Sequence, residues 1–405
     1  MNTRLGTMLL SMVSVLVLCS HVCAQGLSAF EGPAQQAEQY NFSIHILAML
    51  LVGFGFLMVF VRKYGYSALT GTYLVVAVGL PLYLFLRTAG IVPGEPVAPN
   101  TIKALMLAEF ATASALIAMG AVLGRLRLYQ YALLALLLVP AYLLNEWLVL
   151  NGGLGITRGF VDTAGSIIIH AFGAYFGLGL ALILTSTAHR DTPIDSDPTS
   201  DRFSMLGSMV LWLFWPSFCC AIVSFKEVPQ TAVNTVLALA GATLATYLLS
   251  TLLRKGQTSI ADMANAALAG GVAIGATCNI VAPAEAFGIG LLAGGLCVIG
   301  YVFIQPALEA RLKLVDTCGV HNLHGMPGLL GGLLAMLAVP GIALAQLVGI
   351  AFTVVLALVC GVVAGAFIKV TGTKRAAYAD IEEFGGEEPL SLDTLPAVEP
   401  EQIPA

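Results

Sequence analysis

The hydrophobic positions of this chain do not alternate, and they do not line a single helical face. They fill whole stretches of about twenty residues, separated by short polar groups. Eleven such runs follow one another: 43–61, 68–86, 102–123, 129–149, 163–187, 203–225, 231–253, 260–281, 287–307, 317–339 and 343–370. Each is near or above the ~20 residues that carry a helix across a hydrocarbon core. In lipid, a helix is the segment that satisfies its own backbone groups. The pattern therefore predicts an all-α membrane protein with 11 transmembrane helices.

Composition agrees. Of 405 residues, 58% are hydrophobic and 10% charged, and the mean hydropathy is +0.90. A soluble domain carries roughly 25% charged residues, and with so few this chain could not cover a water-facing surface. The net charge of −5 offers no basic face for nucleic acid.

The basic residues set the expected orientation. With the N-terminus outside, thirteen of the 18 Lys and Arg fall on the inner side, from Arg62 and Lys63 to Lys374 and Arg375. Arg87, Lys103, Arg158 and Lys226 fall outside. Positive residues collect on the cytoplasmic side, so the C-terminus is expected inside.

The ends read differently from the middle. Arg4, an apolar run over 8–18 and the small residues before Gln25 have the form of a signal peptide, 1–24. An uncleaved anchor is the alternative. Residues 25–42 are then an outer segment, 43–371 the membrane domain, and 372–405 an acidic cytoplasmic tail, expected to be flexible. Six cysteines outside the signal lie in or beside apolar runs, without metal-ligand spacing to His, and read as small buried hydrophobes. No cofactor is expected.

Two segments repeat. Asp162-Thr-Ala-Gly165 is followed by His170, and Asp316-Thr-Cys-Gly319 by His324, each His eight residues after its Asp. They open the fifth and tenth runs, which cross the membrane in opposite senses. Five spans and then five of opposite sense make an inverted 5+5 repeat, and such repeats hold their substrate sites near the bilayer midplane. Eight residues at ~1.5 Å each put either His about 12 Å below its Asp, close to that midplane. Asp162 and Asp316 stand at helix starts, where a carboxylate either caps the helix or meets substrate. A pair of buried histidines could also ligate a haem, although nothing else points to electron transfer.

The stretches DTAGSIIIHAFGAYFG and DTCGVHNLHGMPGLLGG resemble the ammonium transporter/Rhesus (Amt/Rh) family, and specifically a bacterial Rh-type ammonia channel. The resemblance implies a multi-pass protein of the bacterial inner (plasma) membrane, a homotrimer with one narrow pore per subunit, and no enzymatic activity. It implies ammonia or ammonium as substrate, with carbon dioxide and methylamine as further candidates, and a sensor as the rival role. The pore histidines map to His170 and His324. His321 lies near, but the family's His-Gly pair matches His324-Gly325. A gate of stacked rings maps to Phe110 in EFATASALIAMG and to Phe218 in WLFWPSF, with Trp215 as the alternative second ring. Where Amt members carry a Trp at the outer mouth, this chain has Leu150, which cannot bind a cation through a ring face.

Overall fold

The structure, a computed structural model, describes residues 32–91, 98, 101–372 and 374–384. The expected signal peptide and most of the acidic tail lie outside these residues. All regular structure among the described residues is helical. Among the described residues, nine helices are long and apolar enough to cross a membrane: α1 (Ala34–Phe60), α2 (Gly65–Thr88), α3 (Ile102–Ala121), α4 (Leu128–Leu150), α5 (Ser166–Leu184), α6 (Pro198–Cys220), α7 (Val228–Leu253), α9 (Pro283–Leu312) and α11 (Ala343–Thr371).

The two remaining apolar runs form shorter elements. Run 260–281 becomes α8 (Ile260–Ile274), broken between Ala266 and Ala269, and its last residues are turns. Run 317–339 becomes α10, a π-helical turn His321–Gly325 continued by Met326–Ala338. The first run lengthens instead. Helical backbone begins at Pro33, within the expected outer segment, where Gln35, Gln36, Glu38 and Gln39 carry α1 beyond its apolar part.

The helices differ in how far other helices cover them. α11 has the highest mean hydropathy, 2.8, and is the least covered by protein. α3, at 1.6, and α5 are almost wholly sheathed by other helices. Helices that meet lipid must be apolar all round, whereas those inside can carry polar groups satisfied by neighbours. Small residues allow the close contacts. A Cβ on Gly173 would lie 2.6 Å from the Ser114 carbonyl, so α5 presses its backbone onto α3.

Helix packing follows the two halves of the chain. α2 packs on α4 and α7 on α9; α3 packs on α5 and α8 on α10; α1 and α6 pack on each other.

The loops 61–64, 122–127, 185–197 and 313–316 share one end with residues 374–384. Arg62 N–H donates to Asp195 O (2.9 Å), and Arg125 reaches Thr185 Oγ1 (2.5 Å) and Val315 O (2.7 Å). The start of the tail is seated here rather than loose. Asp380 accepts from Ser67 N (2.8 Å) and Tyr66 N (3.0 Å), capping the first turn of α2 from across the chain. Tyr378 N–H donates to Gly124 O (2.9 Å), and Lys374 lies 4.9 Å above the Tyr64 ring. Charge count alone reads this segment as solvated; unpaired N–H groups at the starts of α2 and α4 give Asp380 and Glu383 somewhere to bind, Glu383 Oε1 accepting from Leu128 N at 3.4 Å.

Candidate functional site

Each copy of the D-T-x-G motif makes the same local structure. Gly165 and Gly319 have φ of +76° and +66°, which glycine adopts without strain. Their N–H groups close turns onto Asp162 O (3.3 Å) and Asp316 O (3.0 Å). The turn swings each Asp side chain over the helix start that follows. Asp162 Oδ2 accepts from Ile167 N (3.0 Å) and Ile168 N (2.8 Å); Asp316 accepts from Val320 N and His321 N, both 3.0 Å. Of the two roles open from sequence, both carboxylates visibly perform the cap. Asp162 Oδ1 is left without a partner.

Both helix starts are wound as π-helix, Ser166–Ala171 and His321–Gly325, and each contains the histidine of its repeat. A π-turn holds one extra residue per turn and recurs at functional sites. It sets His170 and His324 face to face with Nδ1 atoms 3.2 Å apart, ring centroids 5.3 Å apart and planes 6° from parallel. Both residues are buried. At most one proton fits between the facing nitrogens, so one ring donates and the other accepts.

An aromatic column continues from this pair. Phe218 lies 5.9 Å from His170, and Phe110 meets Phe218 edge-on at 4.7 Å. Trp215, the alternative second ring, is instead stacked on His170 at 5.5 Å and 21°. Phe54, on the π-turn Met49–Phe54 of α1, stacks on His324 at 6.2 Å. Thus α6 supplies the ring that covers the α5 histidine, and α1 the ring that covers the α10 histidine. Sequence reasoning missed Phe54, which has no local mark inside its apolar run. His170 Nε2 is buried and has no protein partner.

A family model described as Ammonium Transporter Family matches residues 7–383. The chain belongs to this family. A solved structure titled "Nitrosomonas europaea Rh50 and mechanism of conduction by Rhesus protein family of channels" is 67% identical, with a TM-score of 0.88, covering 89% of this chain and 95% of that one. Ammonium transporter Rh type B of Oryctolagus cuniculus is 42% identical over 304 residues, 72% of this chain. Ammonium transporter Rh type A of Canis lupus familiaris is 38% identical over 307 residues, 75% of this chain. The matches span 63% and 72% of those relatives' lengths. The resemblance to the Rh branch therefore holds, and this family member is a multi-pass membrane transport protein of the plasma membrane, not an enzyme.

Leu150, His321 and the remaining buried or polar candidates of the chain take other places. Leu150 ends the last turn of α4 and is exposed, whereas the twin histidines are buried. His321 packs its ring against Tyr175 (5.7 Å, edge-on) rather than against His324. His45 stacks on Phe214 and shares a 2.8 Å hydrogen bond with Ser217. His189 caps a surface turn with Ser186. Asn265 bonds back to Ala261 O, and Asn279 ties Thr163 to Glu227. Four of the six cysteines are buried, two are partly buried, and all are free. Among the described residues no cluster of His, Cys, Asp and Glu could hold a metal ion.

Proposed function

We propose that the chain conducts ammonia across the membrane through the column of Phe110, Phe218, His170 and His324, down its concentration gradient. The facing histidines directly behind a pair of rings carry this reading. Ammonium is a compact cation, mostly protonated at neutral pH like a Lys amine. Taking such a charge to the bilayer centre costs at least several kcal/mol unless partners compensate. Neutral ammonia avoids most of that cost. It needs hydrogen-bonding groups along a dry path, and two neutral imidazoles sharing one proton supply them, with His170 Nε2 unpaired toward it. The rings exclude water and hydrated ions. K⁺ and Na⁺ have no proton to give up and are rejected.

The steps are capture of ammonium at the outer mouth, loss of its proton near Phe110 and Phe218, and passage of ammonia past His170 and His324. Leu150 at the mouth favours a lower-affinity, gradient-driven pathway over scavenging. The supporting frame is eleven spans in an inverted 5+5 arrangement, N-terminus outside and C-terminus inside. In it, 1–24 is a signal peptide, 25–42 an outer segment, 43–371 the channel domain and 372–405 the cytoplasmic tail. The working unit is a homotrimer.

Stopped-flow measurement of internal pH in proteoliposomes tests the proposal. Inward ammonium gradients are expected to alkalinise the lumen faster than in empty liposomes, and His170→Ala to remove the difference. No acceleration over bare lipid would refute ammonia conduction and direct the same apparatus to carbon dioxide. Methylamine permeation is read the same way.

A further inference from the structure

The column of rings stops at His324, short of the end of the molecule where the tail is seated. Phe110 and Phe218 stand on the far side of the histidine pair from that end. On the near side, α5 runs on from His170 to the loop 185–197, and α10 arrives from the loop 313–316. The next facing rings on these same two helices are Tyr175 and His321. They meet edge-on, with centroids 5.7 Å apart and planes at 69°. Tyr175 lies five residues past His170, and His321 three residues before His324. At ~1.5 Å per residue the second pair stands roughly 4–8 Å beyond the first, toward the tail.

His321 is where the two halves of the repeat part. Five residues after its motif Asp, the first half has Ile167, fully buried, and the second has His321, partly exposed. The helix cap does not call for an imidazole. Asp316 Oδ2 holds the His321 N–H at 3.0 Å as Asp162 Oδ2 holds the Ile167 N–H at 3.0 Å. Exposure also rises along the seam: His170 and His324 are 3% and 4% exposed, and His321 is the more open ring.

The ring of His321 has two unlike sides. Its Nδ1 is buried and has no protein partner, which a buried nitrogen seldom lacks without reason. Gly325, the residue after His324, lies against that nitrogen. A Cβ on Gly325 would be 3.0 Å from His321 Nδ1 and 3.6 Å from the hydroxyl-bearing carbon of Tyr175. Its φ is −65°, an ordinary helical value, so the backbone does not demand glycine here. Glycine instead leaves Nδ1 uncovered, one residue from His324.

We propose that His321 is a third hydrogen-bonding residue of the ammonia path, an exit station between the twin histidines and water at the tail end. The role rests on ammonia conduction as read above. A neutral imidazole offers one donor and one acceptor. At Nδ1, His321 gives a small amine or ammonia a partner as it leaves His324, before water can supply one. Tyr175 holds the ring through the edge-on contact, and Gly325 keeps the nitrogen open. Only hydrogen bonds are exchanged at this station; no covalent bond forms or breaks.

The test is ammonium-driven alkalinisation in proteoliposomes of the full chain, comparing wild type with His321→Ile, His321→Asn and His321→Gln. His321→Ile installs the residue that the first half carries at this place. It is expected to lower ammonia permeability about three- to tenfold, the worth of one net hydrogen bond. The amide of an asparagine reaches the position of Nδ1, whereas that of a glutamine reaches the position of Nε2. His321→Asn is therefore expected to keep most of the flux, and His321→Gln to fall as His321→Ile does. A ring that only fills space predicts no such order. A His321→Ile flux equal to wild type would overturn the station, and so would equal losses in His321→Asn and His321→Gln. If the elution volume in detergent shows that His321→Ile does not fold, the asparagine and glutamine variants decide by the same comparison. Loss in His170→Ala with none in His321→Ile strikes the station and leaves the ammonia reading standing. A wild type no faster than empty liposomes strikes that reading instead.

Discussion

His170 and His324 approach through like atoms, Nδ1 to Nδ1, at 3.2 Å, with their rings nearly parallel. Each ring fixes the tautomer of the other. Removing either leaves a buried nitrogen without its partner and a gap beside Trp215 or Phe54. His170→Ala and His324→Ala are each expected to lower ammonia conductance at least about tenfold, which corresponds to ~1.4 kcal/mol on the barrier. Stopped-flow alkalinisation measures the loss, and an unchanged elution volume in detergent shows that the fold survives. Two variants that conduct like wild type would remove the pair from the pathway.

Phe110 and Phe218 meet edge-on at 4.7 Å. Deleting both rings opens a passage wide enough for water. Phe110→Ala with Phe218→Ala is expected to raise osmotic water permeability and methylamine flux in proteoliposomes. Unchanged selectivity would mean that the gate lies elsewhere.

Gly165 lies at φ +76°, and a Cβ there would run into the Ile169 side chain. Gly165→Ala is expected to cost about 1–2 kcal/mol from the left-handed backbone alone, with the clash in addition. Asp316→Ala removes a cap of two N–H groups and is expected to cost about 0.5–2 kcal/mol. Thermal unfolding in detergent should register both. Asp316→Asn, which keeps an acceptor, should lose less than Asp316→Ala.

Asp197 precedes α6 outside the apolar part and accepts from Ser200 N (2.8 Å) and Thr199 N (2.9 Å). The Ser200 bond leads in holding its carboxyl below the ordinary range, with Thr199 and Arg62 adding to it. A depressed folded value means stability that is present above the unfolded value, about 3.9, and is lost as pH falls through the folded one. The group is largely solvated and its Arg62 contact is long, 4.0 Å, so the effect is small. Asp197→Ala should be less stable than wild type at neutral pH by about 0.5–1 kcal/mol, with the gap closing in strong acid. A gap independent of pH would assign the effect to packing.

The sequence carried much of this architecture, and the limits are physical. Hydropathy located the nine long apolar helices among the described residues because lipid selects whole apolar segments. It could not see that the run 260–281 stops being helical at Gly275. That end is spent on another element: Ala164 N–H donates to Gly275 O (2.6 Å) and Ser166 Oγ accepts from Ala276 N (2.7 Å). The repeat exposed His170 and His324, since two copies of one motif stand out where a single His does not. Phe54 stayed hidden because an apolar ring in an apolar run carries no local signal, and the π-turns did so because winding depends on what the extra residue packs against. Trp215 and Phe218 sit three residues apart on one face of α6, so only their partners, His170 and Phe110, distinguish them.

The bonds at Gly275 have a counterpart at the other end of the molecule. Thr317 N–H donates to Ala121 O and Cys318 N–H to Gly120 O, both 3.2 Å. The α5 histidine segment therefore hangs from α8, and the α10 histidine segment hangs from α3. Each half of the polypeptide is the scaffold on which the other half builds its working part, like two people who can only stand by gripping each other's wrists. A chain cut between Asp191 and Pro198 should yield fragments that fail singly and regain conduction when made together. A sequence of half this length would lack the carbonyls from which its histidine segment hangs, and would need a second copy in a reciprocal, two-fold pairing to supply them.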